Sequence, residues 1–164
     1  MSVVKIVASE STGVQRAARD VAIGLGILVD ELCPEEAGPV GCGRLSDTHG
    51  PSERERIRGN LIASDATLIL YDKAGIACSP GTMFAQQCAV EQCHPALVVH
   101  IGDYLSLERA TGWLASLPAV LTLNIAGPRS DEAPGIYEAS YYFLEELLGR
   151  RLRSTPAVGI EGLE

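Results

Sequence analysis

The sequence predicts an α/β protein, a single-domain, doubly wound, mostly parallel sheet of about five strands with helices on both faces. Three observations predict it. Short apolar runs rich in β-branched residues alternate with segments of helical period from residue 3 to about residue 148. Aliphatic side chains dominate the 164 residues while aromatics make up 5%, a filling that suits α/β layers better than an aromatic-rich sandwich. The 17 glycines supply the many tight joints such a chain needs.

The elements follow in order. "VVKIVA", residues 3 to 8, is a strand. From Thr12 the period changes, and Val14, Ala17, Ala18, Val21, Ala22 and Leu25 fall on one buried helix face that Gly26 ends. "ILVDEL" supplies a second strand. Residues 33 to 51 are rich in Gly and Pro and lack a period, so they form a long loop. "SERERIRGNLIAS" reads as a helix and "ATLILYD" as a central strand, its apolar run almost continuous. Ser79-Pro80-Gly81-Thr82 opens a helix that reaches about Gln92. "PALVVHI", "SLERATGWLASL" and "AVLTLNIA" give strand, helix and fifth strand, and a last helix runs from about Gly135 to Leu148. Residues 1–150 thus form the ligand-binding domain, and 151–164 a tail that either stays mobile or crosses to a neighbouring subunit.

The net charge of −8 and scattered basic residues exclude an extended nucleic-acid surface. A small anion is still compatible, because amides at a helix N-terminus hold a phosphate even on an acidic protein. Five cysteines in a chain with no apolar leader suggest reduced thiols, and no run of 18 apolar residues suggests a membrane span, so a cytoplasmic protein is expected. The cysteines and histidines lack metal-site spacing, and no Walker, GxGxxG, HExxH or Ser-His-Asp pattern is present.

Three joints fall at strand ends and lead to helix N-termini: "SESTG" at 9–13, "CSPGT" at 78–82 and "NIAGPR" at 124–129. In a doubly wound sheet, ligands bind at that edge. Gly13 and Gly81 would let the backbone approach an anion, Ser11, Thr12 and Thr82 would add donors, and Arg16 and Arg129 could clamp a phosphate bidentately. The plain structural reading competes with each: Ser11 and Thr82 as helix caps, and the arginines paired with Asp20, Asp131 or Glu132. Arg54, Arg56 and Arg58, alternating with acids, read as a solvated helix face.

The same stretches, from "STGVQRAARDVAIGLGI" through "RIRGNLIASDATLIL" and "PGTMFA" to "LNIAGPRSDEAPGIYE", resemble the family of proposed molybdenum cofactor carriers, which groups with nucleotide-binding Rossmann-like proteins. The resemblance covers about residues 5 to 148, and LN-x-AGPR followed by PGIY is its most specific part. It implies a doubly wound fold, a homo-oligomer (dimer or tetramer), and a small phosphorylated ligand, either molybdenum cofactor or a nucleotide. Carried over by position, the ligand loops hold Ser11, Thr12, Gly13 and Arg16, then Asn60 and Asp65, then Gly81 and Thr82, then Asn124, Gly127 and Arg129. The first loop departs from the family's SGGQTGV, with Glu10 among the changes. Glu35, Glu36 and Ala37 stand where basic residues are usual, and Pro80-Gly81-Thr82 replaces GGT.

Three functions follow as expectations. The first is a non-catalytic carrier or sensor of a phosphorylated ligand. The second is a nucleotide N-glycoside hydrolase like the related phosphoribohydrolases, although Ala85 stands where their glutamate is expected. The third is an oligomeric member without ligand, for which Ile136, Phe143 and Leu147, opposite the tyrosines of the last helix, would supply an interface.

Overall fold

The structure, a computed structural model, describes residues 2–9, 11–30, 53–118 and 120–154. The predicted loop at 33–51 lies outside the described residues, as do Glu10, Cys33, Cys42 and the tail from 155 to 164. Ten elements alternate as expected: β1 (Ser2–Val7), α1 (Val14–Leu25), β2 (Leu28–Asp30), α2 (Glu53–Ile62), β3 (Ala66–Tyr71), α3 (Pro80–Glu91), β4 (Ala96–His100), α4 (Ser106–Ala115), β5 (Val120–Ala126) and α5 (Ile136–Ser154). The strands form one parallel sheet in the order β2-β1-β5-β3-β4.

That order decides where a site can lie. β5 returns to the middle of the sheet, between β1 and β3, so the loops leaving β1, β5 and β3 at their carboxyl ends are neighbours. These are the three joints singled out above. The direction of winding reverses at the same place, which leaves a crevice between diverging helices.

Period two sorts the strand residues by face. Leu68 and Leu70 of β3, with Leu121, Leu123 and Ile125 of β5, enter the main core together with Val14, Val21 and Ala110 from α1 and α4. The alternate residues Ile69 and Ala126 pack instead with Ala85 of α3 in a small second cluster, and Leu61, Cys88 and Ala89 form a third between α2 and α3. Thr67 and Asn124, register partners across β3 and β5, share that second face and are buried.

Helix α1 buries the predicted residues Val14, Ala17, Ala18, Val21 and Ala22, and Gly26 closes it at φ 71 with its N–H directed to Ala22 and Ile23. Helix α5 runs to Ser154, beyond the expected end near Leu148. Its proposed interface row needs correction. Ile136, Phe143 and Leu147 belong to the chain's own core, as do Leu144 and Leu148 on the tyrosine side, because the helix lies against α1 and the sheet and buries a broad stripe. Among the described residues no helix is long and apolar enough to cross a membrane.

Candidate functional site

A cleft of about 270 Å³ opens at the carboxyl edge on the α2–α3 side. Of the residues expected at a site, Ser11, Asn60, Gly81, Thr82, Asn124, Gly127 and Arg129 line it. The remaining ones stand elsewhere, each for a physical reason.

Asp65 is at the opposite, amino edge. It precedes β3, and its carboxylate accepts the N–H of Thr122 at 2.8 Å while its own N–H donates to the Thr122 carbonyl, fastening β3 to β5. Arg16 turns to Asp20 at 3.5 Å, the simple ion pair anticipated for it. The other Asp20 oxygen accepts the Tyr137 hydroxyl at 2.5 Å, so this network ties α1 to α5. That hydrogen bond, with partial burial, pushes the Tyr137 phenol up to about 12. Thr12 uses its hydroxyl to accept the Ser130 N–H at 3.2 Å.

Gly13 serves close packing of the chain on itself. It has φ +70, and a Cβ there would stand 2.8 Å from Arg129 Cα and still closer to the Pro128 carbonyl. The next residue, Val14, donates its N–H to that carbonyl at 3.2 Å. Gly127 does the same from the other strand, since a Cβ would strike the Leu70 carbonyl and come within 2.5 Å of Val14 Cγ2. The glycines of "STG" and "AGPR" therefore let the loops after β1 and β5 interlock. Arg129 is turned toward the cleft from that joint.

Arg129 is enclosed by carboxylates. Its Nε lies 3.2 Å from Asp131, Nη2 3.5 Å from Glu132 and Nη1 3.8 Å from Glu53. Its backbone N–H donates to Glu132 Oε2 at 2.8 Å. Glu132 first, then the Asp131 hydrogen bond, raises the guanidinium above its ordinary value, so Arg129 is cationic at any working pH. The pairs with Asp131 and Glu132 match the plain structural reading of this arginine; Glu53, reaching across from α2, was not anticipated.

Glu53 connects two parts of the rim. The oxygen facing Arg129 is also the group a Cβ on Gly81 would meet at 2.7 Å, so the carboxylate stands over the first turn of α3. Ser79 caps that helix, its Oγ accepting the Thr82 N–H at 3.3 Å and contacting Thr82 Oγ1 at 2.7 Å. Thr82 is thus the partner of a cap rather than the cap. At α1, where Ser11 was expected to cap, Gly13 occupies the position without a side-chain hydrogen bond. Ser9 instead hydrogen-bonds Gln15, and both line the cleft.

Sequence reading missed Glu53, Arg56, Ser79, Gln15 and Glu132 as lining residues. The three arginines of α2 do not share one solvated face: Arg54 and Arg58 lie over the Phe84 ring at 4.7 and 4.9 Å, and of the three only Arg56 lines the cleft. Alternation of acids and bases along α2 gave no sign of this. Among the described residues no group of three His, Cys, Asp or Glu is placed to hold a metal ion.

The model of the circularly permutated YpsA SLOG family matches residues 6–148. Among solved structures, the putative molybdenum carrier protein from Syntrophus aciditrophicus SB is 28% identical, with a TM-score of 0.65 over 90% of this chain and 95% of that one. No curated protein matches.

Proposed function

This chain belongs to the circularly permutated YpsA SLOG family, and from that premise we propose that it is a non-catalytic carrier of a small phosphorylated ligand, molybdenum cofactor or a nucleotide. The ligand's anionic group takes the place of the Glu53 carboxylate between Arg129 and the first turn of α3.

One observation carries the reading: the protein sets a carboxylate of its own where a helix N-terminus and a guanidinium converge. Such a position favours negative charge through the dipole of the helix and the fixed cation, although Pro80 has no N–H and the Thr82 N–H already goes to Ser79 Oγ. Glu53 is half exposed and held to Arg129 by a long contact, so its displacement costs little. Arg56, exposed and without an ion pair among the described residues, adds a second cation to the same wall. The likeness to the putative molybdenum carrier protein from Syntrophus supports the carrier role.

The hydrolase alternative requires a carboxyl group free to act on the glycosidic bond. Ala85 lines the cleft where the glutamate was expected, and among the described residues the carboxylates of the cleft, Glu53 and Glu132, face Arg129. The carrier reading uses the residues as they stand. A homo-oligomer, with a surface other than the buried face of α5, belongs to the same proposal.

Thermal melting against a panel of nucleoside monophosphates and pterin phosphates tests it. A ligand at 100 times its dissociation constant adds about 2.7 kcal/mol, which raises the midpoint by several degrees for a chain of about this size. A flat panel contradicts the proposal. Release of free base from any nucleotide, above a protein-free control, establishes the hydrolase instead.

A further inference from the structure

The floor of the cleft has a polarity of its own. Asn124 is 2% exposed, lines the cleft, and its Oδ1 has no hydrogen-bond partner among the described residues. Buried polar atoms are nearly always paired, so an orphan on a residue that lines a cleft calls for a partner from outside the chain. The amide cannot turn freely to hide it. Asn124 Nδ2 donates to Thr67 Oγ1 at 3.2 Å, and Thr67 Oγ1 lies 2.9 Å from His94 Nε2.

The order of donors along this relay follows from its far end. Burial lowers the His94 pKa, against the pull of the Ala66 backbone and Asp65, so the ring is neutral at pH 7 and its N–H goes to the Ala66 backbone. Nε2 is then an acceptor and takes the Thr67 hydroxyl hydrogen. Thr67 has one hydrogen to give, so toward Asn124 it accepts, which fixes Nδ2 on Thr67 and leaves Oδ1 unpaired beneath the floor of the cleft that Asn124 lines. Ile57, Ala85 and Ala126 line the same cleft and provide apolar wall.

We propose that Asn124 is the specificity-determining residue of the cleft, accepting a hydrogen bond from the exocyclic amino group of a planar heterocycle, with Thr67 and His94 as positioning residues. This rests on the reading of the cleft as a phosphorylated-ligand site and deepens it. The ligand has two ends: an anion at the Arg129 rim and a flat, donor-bearing ring at the floor. Phosphorylated sugars without a ring donor are poor ligands on this account.

The test is calorimetric titration of the full chain with two pairs of nucleotides. AMP and purine riboside 5′-monophosphate differ by one amino group, and so do GMP and inosine 5′-monophosphate. In the unaltered protein, the amino-bearing member of at least one pair binds tenfold or more tightly, since a site built to pair a donor rejects the analogue that lacks it. Asn124→Leu binds both members of that pair within about twofold of each other. Thr67→Val narrows the preference and Thr67→Ser keeps it, which a merely structural threonine would not do. Two results overturn the assignment while leaving the carrier reading intact: all four nucleotides bind without preference, or the preference persists in Asn124→Leu. Failure of all four to bind overturns the assignment, and it overturns that reading as well only where pterin phosphates also leave the melting midpoint unmoved.

Discussion

The two faces of the sheet are built from the same strands and differ in kind. On the α1–α4–α5 side, Leu68, Leu70, Leu121, Leu123 and Ile125 interdigitate with helix side chains in one continuous core. On the α2–α3 side the neighbouring positions are Thr67, Ile69, Asn124 and Ala126, the apolar clusters are small, and Asn60, Ser79 and Thr82 are buried polar groups. The first face holds the fold together. The second gives up apolar contact for placed hydrogen-bonding groups and a cleft, which is where a fold's consistency is expected to break for function.

Substitutions on adjacent residues of β5 sharpen this contrast most. Leu123→Ala removes a fully buried side chain from the main core and is expected to cost about 2 to 5 kcal/mol in denaturant unfolding. A cost below about 1 kcal/mol would mean the apolar face is not what holds the domain. Next in size is Gly127→Ala, at the joint between β5 and α1, where the new methyl group meets the Leu70 carbonyl and Val14. Because backbone cannot yield as a side chain can, a loss of roughly 1 to 3 kcal/mol is expected, read as a lowered melting temperature.

The polar face should answer to acid. His94 is less easily protonated in the folded chain, chiefly through burial. Its contribution is therefore present in full above the free value of 6.5 and lost as pH falls through the lowered folded value. His94→Gln should flatten that limb of the stability profile between pH 7 and 5; an unchanged limb breaks the link between His94 and the face. On the opposite side, Tyr137→Phe removes the tie between α1 and α5 and should cost about 1 kcal/mol. Because the phenol is raised to about 12, its contribution is whole below 10 and is lost as pH rises through about 12, so the variant should lack that alkaline loss. Smallest is Asn124→Leu, expected to change stability by less than about 1 kcal/mol in either direction, because it removes an unpaired carbonyl along with one hydrogen bond. Equal damage from Leu123→Ala and Asn124→Leu would erase the distinction between the faces.

Much of the fold was legible because it depends on local period and punctuation. The face of α1, its stop at Gly26 and the alternation of strand with helix could be read directly from the chain. Strand order could not, and it is what gathers the loops after β1, β5 and β3 at one rim. "AGPR" was recognisable as unusual turn chemistry, but whether its glycine served a ligand or the chain itself depended on Val14 and Leu70, distant in sequence. Asp65 was misplaced because a residue just before a strand lies at the amino edge, and it follows the end of α2 opposite to the one that carries Glu53 and Arg56. Glu53 and Arg56 were hidden within a helix of alternating charge, whose orientation no local pattern reveals.

Glu53 occupies the position that a ligand's anionic group is proposed to take. Calorimetric titration of AMP into the unaltered protein and into Glu53→Gln, at the same ionic strength, tests this most directly. Removing one carboxylate from beside the incoming phosphate should tighten binding by about tenfold, a cautious share of the roughly 4 kcal/mol that two unit charges about 4 Å apart exert at an effective dielectric near 20. Equal affinity in the two proteins, weaker binding to Glu53→Gln, or no binding to either would contradict it.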